Sequence, residues 1–260
     1  MNVHSTSRNF KNNAKKQLAN EDLQAALNKA RGHFVDGRSI ARDNLPEFDA
    51  LRDKARDIKN HTLKHLDFYL EAYEEKVVES GGHVHWARTA ADAQQIVLDI
   101  CRSVDAKTVN KGKSMIGEEC EINEALEAAG IRPVETDLGE YIIQLRGERP
   151  SHIIAPAVHL TKDQVEQSFR ENHSNLDPDR VLEEPPTLLN EARTILRKKY
   201  FEAEVGITGA NLLIAETGSS IIVTNEGNGD LSQLIPSVHI VLASLEKIVP
   251  TLEDAATILR

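Results

Sequence analysis

From residue 83 onward, short apolar runs alternate with stretches in which apolar residues recur at helical spacing. The helical stretch 90–101 follows a capping threonine, Thr89, and the stretch 121–129 ends at Gly130. Runs typical of strands occupy residues 83–87, 108–109, 131–136, 152–155 and 238–243. This alternation predicts an α/β fold with a mostly parallel sheet flanked by helices, because parallel strands need long crossover connections. In such sheets ligands bind at the carboxyl ends of the strands.

The N-terminal part of the chain has a different pattern, which is helical and polar. Residues 1–20 predict a frayed or loosely helical segment. An apolar stripe over residues 21–31 predicts a short amphipathic helix that ends at Gly32, and we interpret residues 38–44 as a link.

A longer helical pattern runs over residues 46–79 and stops at Gly81 and Gly82. The change of pattern that follows it predicts two parts. We expect a helical N-terminal extension over residues 1–80 and an α/β domain over residues 81–260.

The composition excludes several classes of function. The chain of 260 residues carries a formal net charge of −10, from 31 basic and 41 acidic residues. This charge argues against non-specific nucleic-acid binding, which needs a basic surface. No apolar run approaches the ~20 residues that cross a bilayer, and the N-terminus lacks the apolar core of a secretory signal. We therefore expect a cytoplasmic protein without membrane insertion.

The two cysteines, Cys101 and Cys120, form no CxxC pair. They cannot hold an iron–sulfur cluster by themselves, since such clusters usually take four thiolates. We therefore expect no cofactor in this chain.

The segment 206–229 holds five of the chain's 14 glycines. Its two apolar runs predict buried strands, and residues 217–219 between them predict a turn. The second run leads into an Asn-Glu-Gly-Asn-Gly loop at residues 225–229, where glycines let a ligand approach the backbone closely. One hypothesis is a ligand pocket with Glu216 at the end of a strand. The alternative is a hairpin with Glu216 as a solvated residue at the edge of the sheet.

Lys111, Lys113 and Ser114 follow a predicted strand and precede a predicted helix. A cationic loop at this place fits the binding of a carboxylate or phosphate. The GxxxxGK[ST] spacing of a P-loop is absent, and a solvated turn is the alternative.

Three carboxylates, Glu135, Asp137 and Glu140, lie at the end of the next predicted strand. Grouped carboxylates serve acid–base chemistry or metal binding. Helix capping is the favoured interpretation for Asp137 and Glu140, while Glu135 stays a candidate for the site.

The histidines predict no metal site. Neither His152 nor His159 has a partner at the spacing of zinc ligands. His159 lies past the end of a predicted strand, and we expect it to be a polar contact in the pocket. The chain also lacks the GxSxG motif and the GxGxxG dinucleotide motif.

Longer blocks of sequence carry a resemblance to a known family. The chain contains, in order, HTLKHLDFYLEAYEEKVVESGGHVHWA, KSMIGEECEINEALEAAGI, ETDLGEYIIQLRGERPSHIIAPAVH, GITGANLLIAETGSSIIVTNEGNG and IPSVHIVLASLEKIVPTLED. Together these blocks resemble the lactate utilization protein B family. The resemblance implies a LUD domain, whose fold is similar to the α/β group of ribose-5-phosphate isomerase and the CoA transferases. It also implies that the LUD region continues past residue 260.

The resemblance further implies a subunit of a cytoplasmic three-protein system that oxidises L-lactate to pyruvate. Full-length members carry iron–sulfur clusters on a ferredoxin-like segment, and this sequence ends before that segment. We expect other lactate-utilization subunits as partners, a small carboxylate as ligand and a possible homo-oligomer. The alternatives are a CoA-transferase-like or phosphosugar-handling enzyme, or a non-catalytic assembly scaffold.

The resemblance and the motifs together give a set of candidate site residues. Glu216 is the candidate catalytic residue. The candidate ligand-binding residues are Lys113, Ser114, Glu135, Asp137, His159, Asn211, Thr217, Gly218, Asn225, Glu226, Gly227 and Asn228.

Two positions depart from the family pattern. Asp230 stands where arginine is usual, and Ser244 stands where glycine is usual. An acid in place of a cation beside the loop counts against anion binding there.

Overall fold

The computed structural model describes residues 7–148, 150, 151 and 155–260, which form two compact units. The first unit contains residues 7–43 and 138–198, and the second contains residues 44–137 and 199–260. The predicted domain boundary after residue 80 stays a prediction.

The helices of the described residues are α1 (Phe10–Leu18), α2 (Glu21–Arg31), α3 (Gly37–Asp43), α4 (Phe48–Lys64), α5 (Leu66–Glu79), α6 (Ala90–Ser103), α7 (Met115–Glu119), α8 (Ile122–Ala128), α9 (Leu138–Arg146), α10 (Lys162–Asn172), α11 (Pro185–Glu202), α12 (Asn228–Leu234) and α13 (Leu252–Leu259). The strands are β1 (Thr108–Gly112), β2 (Arg132–Glu135), β3 (Val205–Thr208), β4 (Leu212–Ile214), β5 (Ser219–Ile221), β6 (Val238–Val241) and β7 (Ile248–Val249). None of these helices is both long and apolar enough to cross a membrane.

The second unit contains a four-stranded parallel sheet with the strand order β2–β1–β3–β6. Lys111 of β1 pairs in register with Glu135 of β2 and with Ile207 of β3, so the carboxyl ends of these strands lie side by side. On one face, Val109 and Ile207 pack in an apolar core with Ile122 of α8. The predicted fold class, a mostly parallel sheet flanked by helices, is confirmed.

The opposite face of this sheet is covered by α12, which lies against β1, β3 and β6. The approach is close because Gly206 of β3 has no side chain. A Cβ at this position would overlap with the carbonyl oxygen of Ser232 on α12.

A smaller sheet of the second unit has the strand order β5–β4–β7. β4 and β5 form an antiparallel hairpin, with Gly218 in its turn at a φ of 68°. β4 is buried as predicted, but β5 is exposed or half-buried, so the prediction of a second buried strand is wrong. Leu213 packs with Tyr69 of α5, and Ile214 packs with Ala255 of α13.

In the first unit, a buried polar chain joins α9, α10 and α11. The Tyr141 hydroxyl lies 2.8 Å from His173 Nε2, and His173 Nδ1 lies 2.7 Å from Glu191 Oε1. Arg180 Nε donates to Glu191 Oε2 at 2.6 Å. Burial by itself would raise the pKa of Glu191, but the hydrogen bonds from Arg180 and His173 outweigh it and hold that pKa below its ordinary value.

One prediction for the N-terminal helices is confirmed and one is wrong. The predicted helix over residues 21–31 is α2, whose C-cap is Gly32. The φ of −57° and ψ of −44° at Gly32 nevertheless continue the helical path into a π-helical turn, Gly32–Asp36. The predicted link over residues 38–44 is mostly helical, as α3. The helices α1 and α3 bury no residue.

Two further predictions are corrected in the second unit. Residues 83–87 form no strand, since this largely exposed segment pairs with no described strand. The helical pattern over residues 46–79 forms two helices, α4 and α5, which meet at His65 with a φ of −123° and a ψ of 38°. The predicted strand at 152–155 falls on residues 152–154, which lie outside the described residues.

The predicted helix start at Thr89 is confirmed, and Thr251 begins a helix in the same way. Thr89 accepts a hydrogen bond from the backbone of Asp92 and begins α6. Thr251 accepts one from the backbone of Asp254 and begins α13.

Candidate functional site

The candidate site lies where β1 and β2 end at the edge of the parallel sheet. Lys113 follows β1, and its Nζ lies 3.1 Å from Asp137 Oδ2 and 3.0 Å from Asn225 Oδ1. The sequence predicts all three residues as ligand contacts, and the structure brings them together. The Lys113 side chain is only 17% exposed. An ammonium group has three N–H donors, so these two partners leave one donor for another acceptor.

The backbone at Lys113 adopts a left-handed conformation, with a φ of 55°. This region is unfavourable for a residue with a side chain, and such residues persist where their surroundings fix them. Gly209 is part of those surroundings, because a Cβ there would overlap with the carbonyl oxygen of Lys113. The conformation directs the ammonium group toward Asp137 and Asn225.

A buried ion pair lies one step back along the same strands. Lys111 Nζ is 2.8 Å from Glu135 Oε1, and the Lys111 side chain is 0% exposed. Asn123 Nδ2 donates to the same carboxylate oxygen at 2.6 Å. These contacts give Glu135 a structural role, and its predicted role in ligand binding stays a prediction.

Ser114 has a comparable structural role. Its Oγ accepts a hydrogen bond from the backbone of Gly117 at 3.1 Å and so caps α7. The side chain is buried, and ligand binding by Ser114 stays a prediction.

The loop 225–229 runs beside Lys113. A Cβ built on Gly229 would lie 3.9 Å from Lys113 Cδ. Gly227 takes a φ of 73° just before α12, and Asn228 is buried. Glu226 is exposed in this loop.

The two departures from the family pattern have local partners. Asp230 is exposed, and its Oδ2 accepts a hydrogen bond from Thr224 at 3.1 Å. Ser244 Oγ donates to Glu246 Oε1.

The remaining candidates of the second unit lie in the β4–β5 hairpin. Glu216 is exposed, and its Oε2 accepts a hydrogen bond from the backbone of Leu252 at 3.3 Å. Thr217 Oγ1 donates to Ser219 Oγ at 2.9 Å. Gly218 turns against the last residues of α5. None of the contacts described for these residues reaches Lys113, and the catalytic role of Glu216 stays a prediction.

Asn211 begins the hairpin, and its Oδ1 accepts a hydrogen bond from the backbone of Val223 at 2.7 Å. His159 belongs to the first unit, where its Nε2 lies 3.1 Å from Glu148 Oε2 and its Nδ1 lies 3.1 Å from Ser151 Oγ. Ligand binding by these two residues stays a prediction.

Sequence reasoning missed a layer of polar side chains between the sheet and α12. Thr136 Oγ1 donates to the Lys111 carbonyl at 3.0 Å and lies 3.2 Å from Ser232 Oγ. Tyr200 shares a hydrogen bond with Thr136, and burial raises the pKa of Tyr200 to about 12. Asn110 of β1 belongs to the same layer. No sequence signal identified Asn110, because the predicted strand covers only residues 108–109, whereas β1 continues to Gly112.

The polar layer ends at β6. His239 Nε2 lies 2.8 Å from Thr208 Oγ1 of β3. Burial lowers the pKa of His239, which favours the neutral imidazole.

The cysteines do not fit an iron–sulfur cluster. Cys101 is fully buried in the apolar core, and burial raises the pKa of its thiol to about 11. Cys120 packs against the same core, and burial raises the pKa of its thiol too. One buried thiol and one half-buried thiol, both with raised pKa values, do not supply the thiolates of a cluster.

Comparisons with known proteins agree on one family. The LUD domain model matches residues 70–260. The chain is 42% identical over 246 residues to "Lactate utilization protein B" of Bacillus licheniformis, an alignment that covers 94% of the chain and 51% of that protein. "Lactate utilization protein B" of Bacillus subtilis (strain 168) is 41% identical over 246 residues, with 94% and 50% covered.

A third relative is the "Uncharacterized electron transport protein YkgF" of Escherichia coli (strain K12). It is 37% identical over 254 residues, which cover 98% of the chain and 53% of that protein. The chain thus spans about half the length of the curated relatives it matches. No solved structure matches the chain significantly.

Proposed function

Because the chain belongs to the LUD domain family, we propose that it acts in lactate utilization, as a subunit of a cytoplasmic system that oxidises L-lactate to pyruvate. Within that system, we propose that the second unit binds a small carboxylate at Lys113. The names of the relatives from both Bacillus species support the first part of this proposal.

The observation that carries the second part is that Lys113 has two partners among the described residues for its three N–H donors. Its ammonium group is held by Asp137 and Asn225 at a sheet edge, which is where ligands bind in parallel α/β sheets. The third N–H donor fits a carboxylate oxygen of the ligand. Because the side chain is mostly buried, the attraction is less screened by water than at an open surface.

Asp137 and Asn225 position the ammonium group in this proposal. Asp137 also neutralises part of the charge of the Lys113 ammonium group, which weakens the attraction of that group for a small anion. A cluster of several cationic side chains would favour phosphates, which carry more than one negative charge. A single ammonium group beside a carboxylate fits an acid with one negative charge.

The oxidation of lactate to pyruvate releases two electrons and two protons. We propose that iron–sulfur clusters held outside residues 1–260 would accept the two electrons one at a time, while the two protons would pass to water, since Cys101 and Cys120 do not fit the role of cluster ligands. The name of the Escherichia coli relative supports a link to electron transport. We further propose other lactate-utilization subunits as partners, which the names of the relatives from the two Bacillus species support.

The alternative enzyme, with Glu216 as nucleophile, has no contact in its favour. The Glu216 carboxylate accepts a hydrogen bond at the start of α13. The proposal for Lys113 therefore takes precedence.

Two lysines that flank β1 provide the test. Lys113→Met removes the charge and keeps the length of the side chain. Lys107→Met is the control, which makes the same change before the strand. Lys107 is exposed and forms an ion pair with Asp105. We expect L-lactate and pyruvate to raise the Tm of the wild type and of Lys107→Met, because both acids bind the folded state. Lys113→Met should show no increase. Equal increases in all three proteins would refute carboxylate binding at Lys113.

A further inference from the structure

The alternation of side chains along β1 separates two environments. Val109 packs in the apolar core on one face, and Lys111 lies on that same face, where its side chain passes Gly117 of α7. Asn110 therefore projects to the other face, toward α12. Its neighbour in the register is Gly206, which α12 approaches most closely. The Asn110 side chain thus enters the polar layer beneath α12.

Asn110 has no hydrogen-bond partner there. The side chain is 0% exposed, and neither its Oδ1 nor its Nδ2 reaches a partner among the described residues. Buried carboxamides are normally paired, because an unpaired donor or acceptor loses its hydration without compensation. A side chain with one unpaired acceptor and two unpaired N–H groups matches a ligand group that both donates and accepts, such as a hydroxyl.

Asn228 of α12 contributes a second unpaired group, its side-chain Nδ2. It is 4% exposed, and its Oδ1 accepts a hydrogen bond from the backbone of Gly229 at 2.9 Å. Its Nδ2 has no partner among the described residues. Asn228 and Ser232 are four residues apart on α12, so both side chains lie on the helix face that is buried against the sheet.

The two amides adjoin the carboxylate site. Gly229 follows Asn228 in the chain and lies beside the side chain of Lys113. Asn225, three residues before Asn228, holds the ammonium group of Lys113. The loop that holds the ammonium group of Lys113 therefore continues directly into the residue that carries the unpaired Nδ2.

We propose that Asn228 and Asn110 determine the specificity of this site for acids that carry oxygen on the second carbon. Asn228 Nδ2 donates to that oxygen, and Asn110 Oδ1 accepts the hydroxyl proton of a 2-hydroxy acid. The inference rests on the proposed carboxylate site at Lys113. It adds the chemical group that the site recognises and two residues that recognise it.

The test compares L-lactate with propionate, which has the same carbon chain and carboxylate but lacks the hydroxyl. Dissociation constants are measured by calorimetry or NMR titration for the wild type, Asn110→Ala, Asn228→Ala and Lys113→Met. Asn190→Ala is the matched control, since Asn190 is exposed on α11 in the first unit. Asn110→Val is a second variant at the strand position, in case alanine leaves a cavity that lowers stability.

We expect the wild type and Asn190→Ala to bind L-lactate at least about tenfold more tightly than propionate, because propionate leaves the buried amides unpaired. Asn228→Ala and Asn110→Ala or Asn110→Val should bind the two acids about equally and still bind propionate as the wild type does. Lys113→Met should bind neither acid.

Two results would overturn the inference, and they are distinguishable. If Lys113 is required for both acids but the asparagine variants keep the wild-type preference, the specificity role fails and the carboxylate site stands. If the wild type binds neither acid, the carboxylate site fails and the specificity role fails with it.

Discussion

Replacement of Asn110 by valine should stabilise the second unit, although the residue lies in the middle of a buried strand. The wild-type side chain is 0% exposed and carries an amide without partners among the described residues. Burial of an unpaired polar group costs ~1–3 kcal/mol, and valine is favoured in strands by up to about 1 kcal/mol. The cost of fitting the larger valine side chain into a packed site offsets part of this gain. We expect the free energy of unfolding to rise by about 1–3 kcal/mol, which corresponds to an increase in Tm of about 2–12 °C.

Asn123→Ala is the matched comparison in the same unit. Asn123 Nδ2 donates to the buried carboxylate of Glu135 at 2.6 Å. Loss of a hydrogen bond to a charged group should lower the free energy of unfolding by about 1.5–3 kcal/mol. The two asparagine substitutions therefore have opposite signs.

Urea unfolding followed by tryptophan fluorescence measures both variants. The chain has one tryptophan, Trp86, which belongs to the second unit and so reports on the unit that contains Asn110. Asn110→Ala controls for overpacking by valine and should be less stabilising, because it leaves a cavity. If Asn110→Val and Asn110→Ala both lower stability as much as Asn123→Ala does, Asn110 has a structural partner and the reasoning is refuted.

Three further predictions concern the same unit. Gly206→Ala should destabilise by more than about 3 kcal/mol in urea unfolding, since the added Cβ overlaps with the Ser232 carbonyl oxygen; a loss below about 1 kcal/mol would show that α12 moves freely. The pKa of His239 is lowered by burial, so its contribution to stability is present above about pH 6.5 and is lost as the pH falls through the lowered folded pKa, by up to about 1.4 kcal/mol per pH unit. His239→Gln should flatten this slope between pH 7.5 and 5.5, and an unchanged slope would contradict the assignment. Glu135→Gln should lower the free energy of unfolding by about 3–5 kcal/mol, because it leaves the charge of Lys111 buried without its partner. Adding Lys111→Met to the same chain should recover most of that loss in thermal unfolding. No recovery would mean that the two charges are not coupled.

The parallel sheet could be predicted from the sequence because its signals are local. The alternation of apolar runs and helical stretches, with capping threonines such as Thr89, fixes strands and crossovers before any tertiary contact is known. The same topology brings the ends of β1 and β2 together, and this is why Lys113 and Asp137, which the sequence predicts only as separate ligand-binding candidates, are neighbours in the structure.

Other features depend on contacts that a sequence pattern does not contain. Residues 83–87 alternate like a strand, but a strand also needs a partner, and no described strand pairs with them. Glu216 stands in a glycine-rich segment like a pocket residue, yet the hairpin directs its carboxylate to the backbone of Leu252. Asn110 could be recognised as unusual only after α12 was known to cover its face of the sheet.

A crystal structure of the protein with L-lactate or pyruvate tests carboxylate binding at Lys113 most directly. We expect a carboxylate oxygen of the ligand within hydrogen-bond distance of Lys113 Nζ, with Asp137 and Asn225 still in place around the ammonium group. The oxygen on the second carbon should face Asn228. A ligand bound elsewhere, such as beside Glu216, with Lys113 contacting only Asp137 and Asn225, would contradict the proposed site.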